Sequence, residues 1–210
     1  MIANFLRPAR GPAELAADAL RGLGMFSVLI AVIWYAPTDA GILAFALPGL
    51  FGARFIGLRP AADISCCSIL LIAAWSNVFD LYTRISWWDI LIHVLCTGVL
   101  AAVLHSLAER RGVVASAEVT PTALTISITA AIGLALSALW EMVEWIGFVF
   151  ITQDIYVTYH DTISDMAAGG FGAACAGIIV AKTSLIRADA VLPDLQKPAG
   201  SSAEDPSLHA

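Results

Sequence analysis

Six apolar stretches fill most of the chain, each close to the length that crosses a bilayer. A spanning helix needs about 20 mostly apolar residues, within about 17–25. The stretches run from about 20 to 36, 41 to 58, 65 to 82, 87 to 107, 122 to 151 and 161 to 181. Arg21 would have to snorkel at the start of the first. Pro48 predicts a kink in the second. The fifth is long enough to tilt or project from the membrane. Charged residues amount to only 13% of the chain and hydrophobic ones to 59%. A soluble domain carries about 25% charged residues, so there is too little charge here to cover a water-facing surface. A soluble enzyme, a nucleic-acid binder and a disordered protein are excluded. The fold class expected is all-α, a polytopic transmembrane bundle of six spans.

The flanks differ from the spans. Residues 8–20 (PARGPAELAADAL) read as an amphipathic helix on the membrane surface, within a lead-in of residues 1–22. The transmembrane domain then covers 23–182, and a polar, Pro- and Ser-bearing stretch at 183–210 is expected to be a disordered cytoplasmic tail. The first apolar core begins more than twenty residues in and is not closed by an A-x-A site, so it is taken as a retained span. Cys66, Cys67, Cys96 and Cys175 form no CxxC spacing and read as small packing residues.

Charge sets the expected topology. Net charge is -6, but placement decides orientation, because cytoplasmic loops are rich in Lys and Arg. With six spans and both termini cytoplasmic, the inner segments hold Arg7, Arg10, Arg21, Arg54, Arg59, Arg110, Arg111, Lys182, Arg187 and Lys197. The outer segments hold only Arg84, and this accounts for all 11 basic residues. The expected location is a plasma membrane, spanned several times. Trp34, Tyr35, Trp87 and Trp88 suit its interfaces, while Trp75, Trp140 and Phe171 read as packing residues.

Ionisable groups within spans cost about 2.5–3.5 kcal/mol each on insertion scales, yet several are kept. Asp89 and His93 lie four apart, Glu141 and Glu144 three apart, and Asp161 and Asp165 four apart after His160. Such spacing puts both members of a pair on one helix face. All fall in the outer halves of their spans, with Asn77 and Asp80 near the same side. Below the sixth-span acids, Ala168, Gly169, Gly172 and Ala176 form a stripe that lets helices approach closely. The acids should therefore face an interhelical pocket open to the extracytoplasmic side. His160 and Asp154 read as loop residues.

Five carboxylates cannot all ionise side by side without compensation. Some could be protonated, as in a proton relay, or a divalent ion could neutralise them. Mg²⁺, Mn²⁺, Fe or Zn²⁺ fits carboxylates with imidazole, and the ligand set expected is Asp89, His93, Glu141, Glu144, Asp161 and Asp165. With His93, Glu141 and Asp165 as catalytic groups and His93 as proton acceptor, a metal-activated water could hydrolyse or transfer a group on a lipid-linked or envelope-precursor substrate. A small-solute or proton-coupled transporter and a structural membrane subunit are the alternatives. Against transport, no matching acidic set or inverted repeat occupies the cytoplasmic half.

The segments Trp88-Asp89-Ile90-Leu91-Ile92-His93, Ser137-Ala138-Leu139-Trp140-Glu141-Met142-Val143-Glu144-Trp145 and Asp161-Thr162-Ile163-Ser164-Asp165-Met166 occur in this order. They resemble the signature of the YjdF-type bacterial inner-membrane family, a domain of unknown function with about six spans. A more distant similarity is to VanZ-like membrane proteins, which share the Asp-x-x-x-His step, a later Glu and an Asp followed by small residues. The chain differs from those at Ile90 and Glu144. What the resemblance implies is a six-span fold and the importance of these acids, rather than a reaction. The expected topology is checked by alkaline phosphatase fusions: active when joined after Ser86, inactive when joined after Ser116.

Overall fold

A computed structural model describes residues 1–153 and 155–191. After a short α1 (Ile2–Leu6) come α2 (Pro12–Trp34), α3 (Pro37–Ile56) and α4 (Pro60–Val78). The single turn α5 (Leu81–Arg84) leads into α6 (Trp88–Arg110), α7 (Thr122–Phe150) and α8 (Tyr159–Val180). Six of these helices are long and apolar enough to cross a membrane. Among the described residues the one non-helical pairing is an isolated bridge between Leu58 and Ile186.

Local chemistry explains where the helices begin and end. Pro12, Pro37 and Pro60 each occupy a first helical position, where the missing N–H costs nothing. Gly57, with φ at 81°, closes α3 in the left-handed conformation. Pro48 lies inside α3, which remains helical through it. The lead-in does not form a separate surface helix: residues 12–20 are the first turns of α2 itself. The third span stops at Val78, earlier than its apolar run suggests. Asp80 takes a left-handed conformation there, with φ at 53°. Tyr82 sits on α5 and folds back to donate to the Ala73 carbonyl at 2.9 Å. Burial pushes the Tyr82 hydroxyl pKa up, so the residue serves as a neutral donor.

The spans form two three-helix groups, α2–α3–α4 and α6–α7–α8, joined where α4 meets α6. At that seam the Trp88 indole donates to Ser76 at 2.8 Å, and Ser76 donates to the Ile72 carbonyl at 2.6 Å. The basic residues gather at one end of the bundle. Arg21 does not snorkel. It is only 4% exposed, pairs with Asp63, bonds Asp18 at 2.8 Å and donates to the Leu50 carbonyl at 2.9 Å. One side chain thereby ties α2, α3 and α4 together.

The start of the expected disordered tail is instead built into this end. Arg59 N–H donates to the Leu185 carbonyl and Arg187 N–H to the Gly57 carbonyl, at 2.7 and 2.9 Å. Ile186 is fully buried against Leu58, Ala53, Cys66 and Val103. Asn4 exchanges hydrogen bonds with the backbone of Val191, and the terminal ammonium donates to the Val191 carbonyl at 3.0 Å. Two apolar side chains with a socket to fill outweigh the polar composition around them. The remainder of the expected tail, 192–210, lies outside the described residues.

Asp63→Ala would leave Arg21 buried with its closest counter-charge gone, and breaking a buried pair this way costs about 3–5 kcal/mol. Unfolding in bicelles should show a loss of that order, largely recovered when Arg21→Met is combined with Asp63→Leu.

Candidate functional site

Helices α6 and α8 run away from the acidic end of the bundle and α7 runs toward it, so their residues meet in layers. Asp89 and Asp161 are uppermost. One turn deeper lie His93, Glu141 and Asp165, then Thr97, Ser137 and Gly169, then Ala101, Gly133 and Ala173. The four-residue step on each helix keeps every layer on the inward face.

His93 Nε2 lies 3.6 Å from Asp89 Oδ1 and 3.9 Å from Asp165 Oδ2. Both separations exceed a hydrogen bond. Ligand atoms held about 2.1 Å from a common ion sit roughly 3–4 Å apart, which matches this spacing. Two groups offer ligand atoms that all lie within 4.8 Å of one another: Asp89, His93 and Asp165, and His93, Glu141 and Glu144. His93 is common to both. His93, Glu141 and Asp165 are only 7%, 7% and 1% exposed. Glu141 Oε1 and Asp165 Oδ1 are buried without a hydrogen-bond partner. An uncompensated buried carboxylate oxygen is costly, and a cation held by either group would offset that cost for the carboxylate in it. The donor set, carboxylates with one imidazole, fits Mg²⁺, Mn²⁺, Fe or Zn²⁺ by hardness.

Five of the six expected ligands are therefore brought together. Asp161 belongs to neither group and sits half-buried one turn above Asp165, its backbone N–H capped by Thr158. His160 is exposed in the first turn of α8 rather than in a loop. Asn77 and Asp80 stand apart from the pocket. Asn77 donates to Asp39 of α3 at 3.3 Å, and the exposed Asp80 faces Arg84 at 3.6 Å. Asp154 lies outside the described residues.

The floor of the pocket is nearly solid. A Cβ at Gly172 would meet the Val94 carbonyl oxygen at 2.1 Å, one at Gly133 the Ala173 Cβ at 2.1 Å, and one at Gly169 the Ser137 Oγ at 2.0 Å. Ala168, Gly169, Gly172 and Ala176 are all buried, as their spacing predicts. Residues that charge and spacing alone do not flag also line this column. Thr97 Oγ1 and Ser137 Oγ face each other at 3.4 Å beneath the acids. Beyond the small-residue layer, Thr129 Oγ1 and His105 Nδ1 are 2.9 Å apart. The signal for them is the recurrence of polar residues at multiples of four, Asp89, His93, Thr97 and His105 on α6 and Thr125, Thr129, Ser137 and Glu141 on α7, with Ala101 and Gly133 at the skipped positions.

Fold and pocket together define a multi-pass membrane helix bundle with buried acids converging near one end. Within that class, residues 22–184 match the family described as "Predicted membrane protein (DUF2238)", and the chain belongs to that family. The match agrees with the YjdF-type resemblance and does not extend to the VanZ-like one. No curated protein and no solved structure matches the chain.

Gly172→Val would push α8 off α6, and overpacking of this kind costs about 1–3 kcal/mol. Thermal unfolding should show that loss, whereas Ala167→Val, on the exposed side of the same helix, should leave stability nearly unchanged.

Proposed function

We propose that the protein is a divalent-metal-dependent inner-membrane enzyme that hydrolyses or transfers a group on a lipid-linked substrate, with its centre on the extracytoplasmic side. The observation that carries this reading is the pair of unpartnered carboxylate oxygens on Glu141 and Asp165 beside His93. Asp89, His93 and Asp165 would hold the ion, with Glu144 flanking. When bound, such an ion lowers the pKa of a coordinated water and polarises a phosphoryl or carbonyl oxygen. Glu141, whose Oε1 has no partner, would be the proton acceptor, and His93 would share that role wherever it does not hold the ion. Thr97 and Ser137 close the pocket from below with hydroxyls that can orient water.

The packed layer of Gly133, Gly169, Gly172 and Ala173 supports chemistry over transport, because it separates the pocket from the basic end of the bundle. The charge asymmetry supports placing the acidic end outside: apart from Arg84, the described basic residues lie at the opposite end.

Metal analysis of the purified full chain, with Mn²⁺ binding followed by EPR, tests the reading. A stoichiometric divalent ion is expected. Asp165→Asn and Asp89→Asn should each weaken its binding by about tenfold or more. Protein that takes up no Mn²⁺, or variants that bind it as tightly as the parent, would sink the proposal.

A further inference from the structure

Besides the polar end of the acid cluster, where Asp89 and Asp161 are partly exposed, Glu141 also borders a groove of about 330 Å³ that opens sideways between α7 and α8. Its walls are Ala138, Met142 and Trp145 of α7, Val157 of the connecting segment, and Met166 of α8. Its polar edge is Glu141 and Thr162.

Depth decides what medium this groove faces. Glu141 lies five residues past the middle of α7, about 7–8 Å along the axis at 1.5 Å per residue. A hydrocarbon core about 30 Å thick extends roughly 15 Å from its midplane. With α7 centred in the bilayer, the groove opens among acyl chains. Met142 and Trp145 are 56% and 53% exposed on that side, and α7 packs mainly against α6 and α8, with Trp140 also meeting Phe45 of α3 at 6.0 Å between ring centres. A water-soluble substrate would enter by the polar end and have no use for such a wall.

We propose that this groove admits the hydrocarbon chain of a phosphate-headed membrane amphiphile, whose head lies at the acid/His centre. The inference rests on the metal-centre reading and names its substrate class. The apolar wall receives the chain beside Met142 and Met166, and Glu141 and Thr162 mark where the polar head begins. The sign of the head group follows from the pocket. Its carboxylates repel an anion when alone, whereas a divalent ion held among them has coordination positions that phosphate oxygens fill. Binding of the amphiphile should therefore require both the ion and the chain.

The test uses the full chain in phosphatidylcholine nanodiscs, loaded with Mn²⁺ by EPR titration. Dodecyl phosphate or inorganic phosphate is then added, and ³¹P paramagnetic relaxation reports proximity to the ion. Dodecyl phosphate should half-saturate at a concentration about tenfold or more below inorganic phosphate, because the bilayer concentrates it and the groove then seats its chain beside the ion. Ala138→Trp and Met166→Trp each fill the groove without removing a carboxylate, and should raise the dodecyl phosphate concentration needed by about tenfold while Mn²⁺ binding persists. Bilayer partitioning alone would leave the advantage intact in both variants, and that result overturns the proposal. So does equal binding of the two phosphates, or metal-free binding of dodecyltrimethylammonium in preference to dodecyl phosphate. Mn²⁺ binding without a chain advantage overturns this inference alone; no Mn²⁺ binding overturns the metal centre as well.

Discussion

The close approach of the α6, α7 and α8 backbones is the condition on which the rest of the structure depends. Lipid tails are as apolar as leucine, so spans gain little by hiding apolar side chains from one another and associate through tight packing. Gly98, Gly133, Gly169 and Gly172 permit that packing by presenting no side chain where another backbone or side chain already lies. One turn away, the same convergence brings Glu141 and Asp165 each within reach of His93. The glycine column thus positions the acids and stops the space beneath them from becoming a channel.

The two helix groups handle buried charge in opposite ways. In α2–α4, Arg21 is neutralised internally by Asp63 and Asp18, and its Nε–H donates to the Leu50 carbonyl. In α6–α8, several carboxylates meet one imidazole and two of their oxygens stay without partners. Ionisable groups in spans are costly wherever they sit. A self-satisfied network is read as architecture, and an unsatisfied one as a place prepared for something else. The contrast within one chain is what makes the acidic pocket the functional candidate and the arginine network a structural one.

Much of this was legible in the residues. Six spans follow from apolar run length, and the inward face of α8 follows from Ala168, Gly169, Gly172 and Ala176. Asp89, His93, Glu141, Glu144 and Asp165 are visible because charge inside a span is conspicuous. Less visible was whatever depends on neighbours remote in sequence. Arg21 resembles a snorkelling interfacial residue until Asp63, on another helix, is seen beside it. Leu185 and Ile186 are too short an apolar pair to stand out from a polar stretch, and only the socket at Leu58 gives them a place. Asp161 has the right spacing but sits a turn too high. Thr97 and Ser137 went unmarked because hydroxyls in spans are common and carry no charge.

The strap formed by residues 184–191 has a consequence for biogenesis. Met1 and Asn4 hold Val191, and Gly57 and Arg59 hold Arg187 and Leu185. Segments almost two hundred residues apart are therefore partners. Insertion of the individual helices can proceed in order during translation, but the clasp at the basic end cannot shut until residues 184–191 have been made. A polypeptide that stalls in α8 would leave that end open, with Asn4, Leu58 and the Gly57 carbonyl exposed to quality-control proteases.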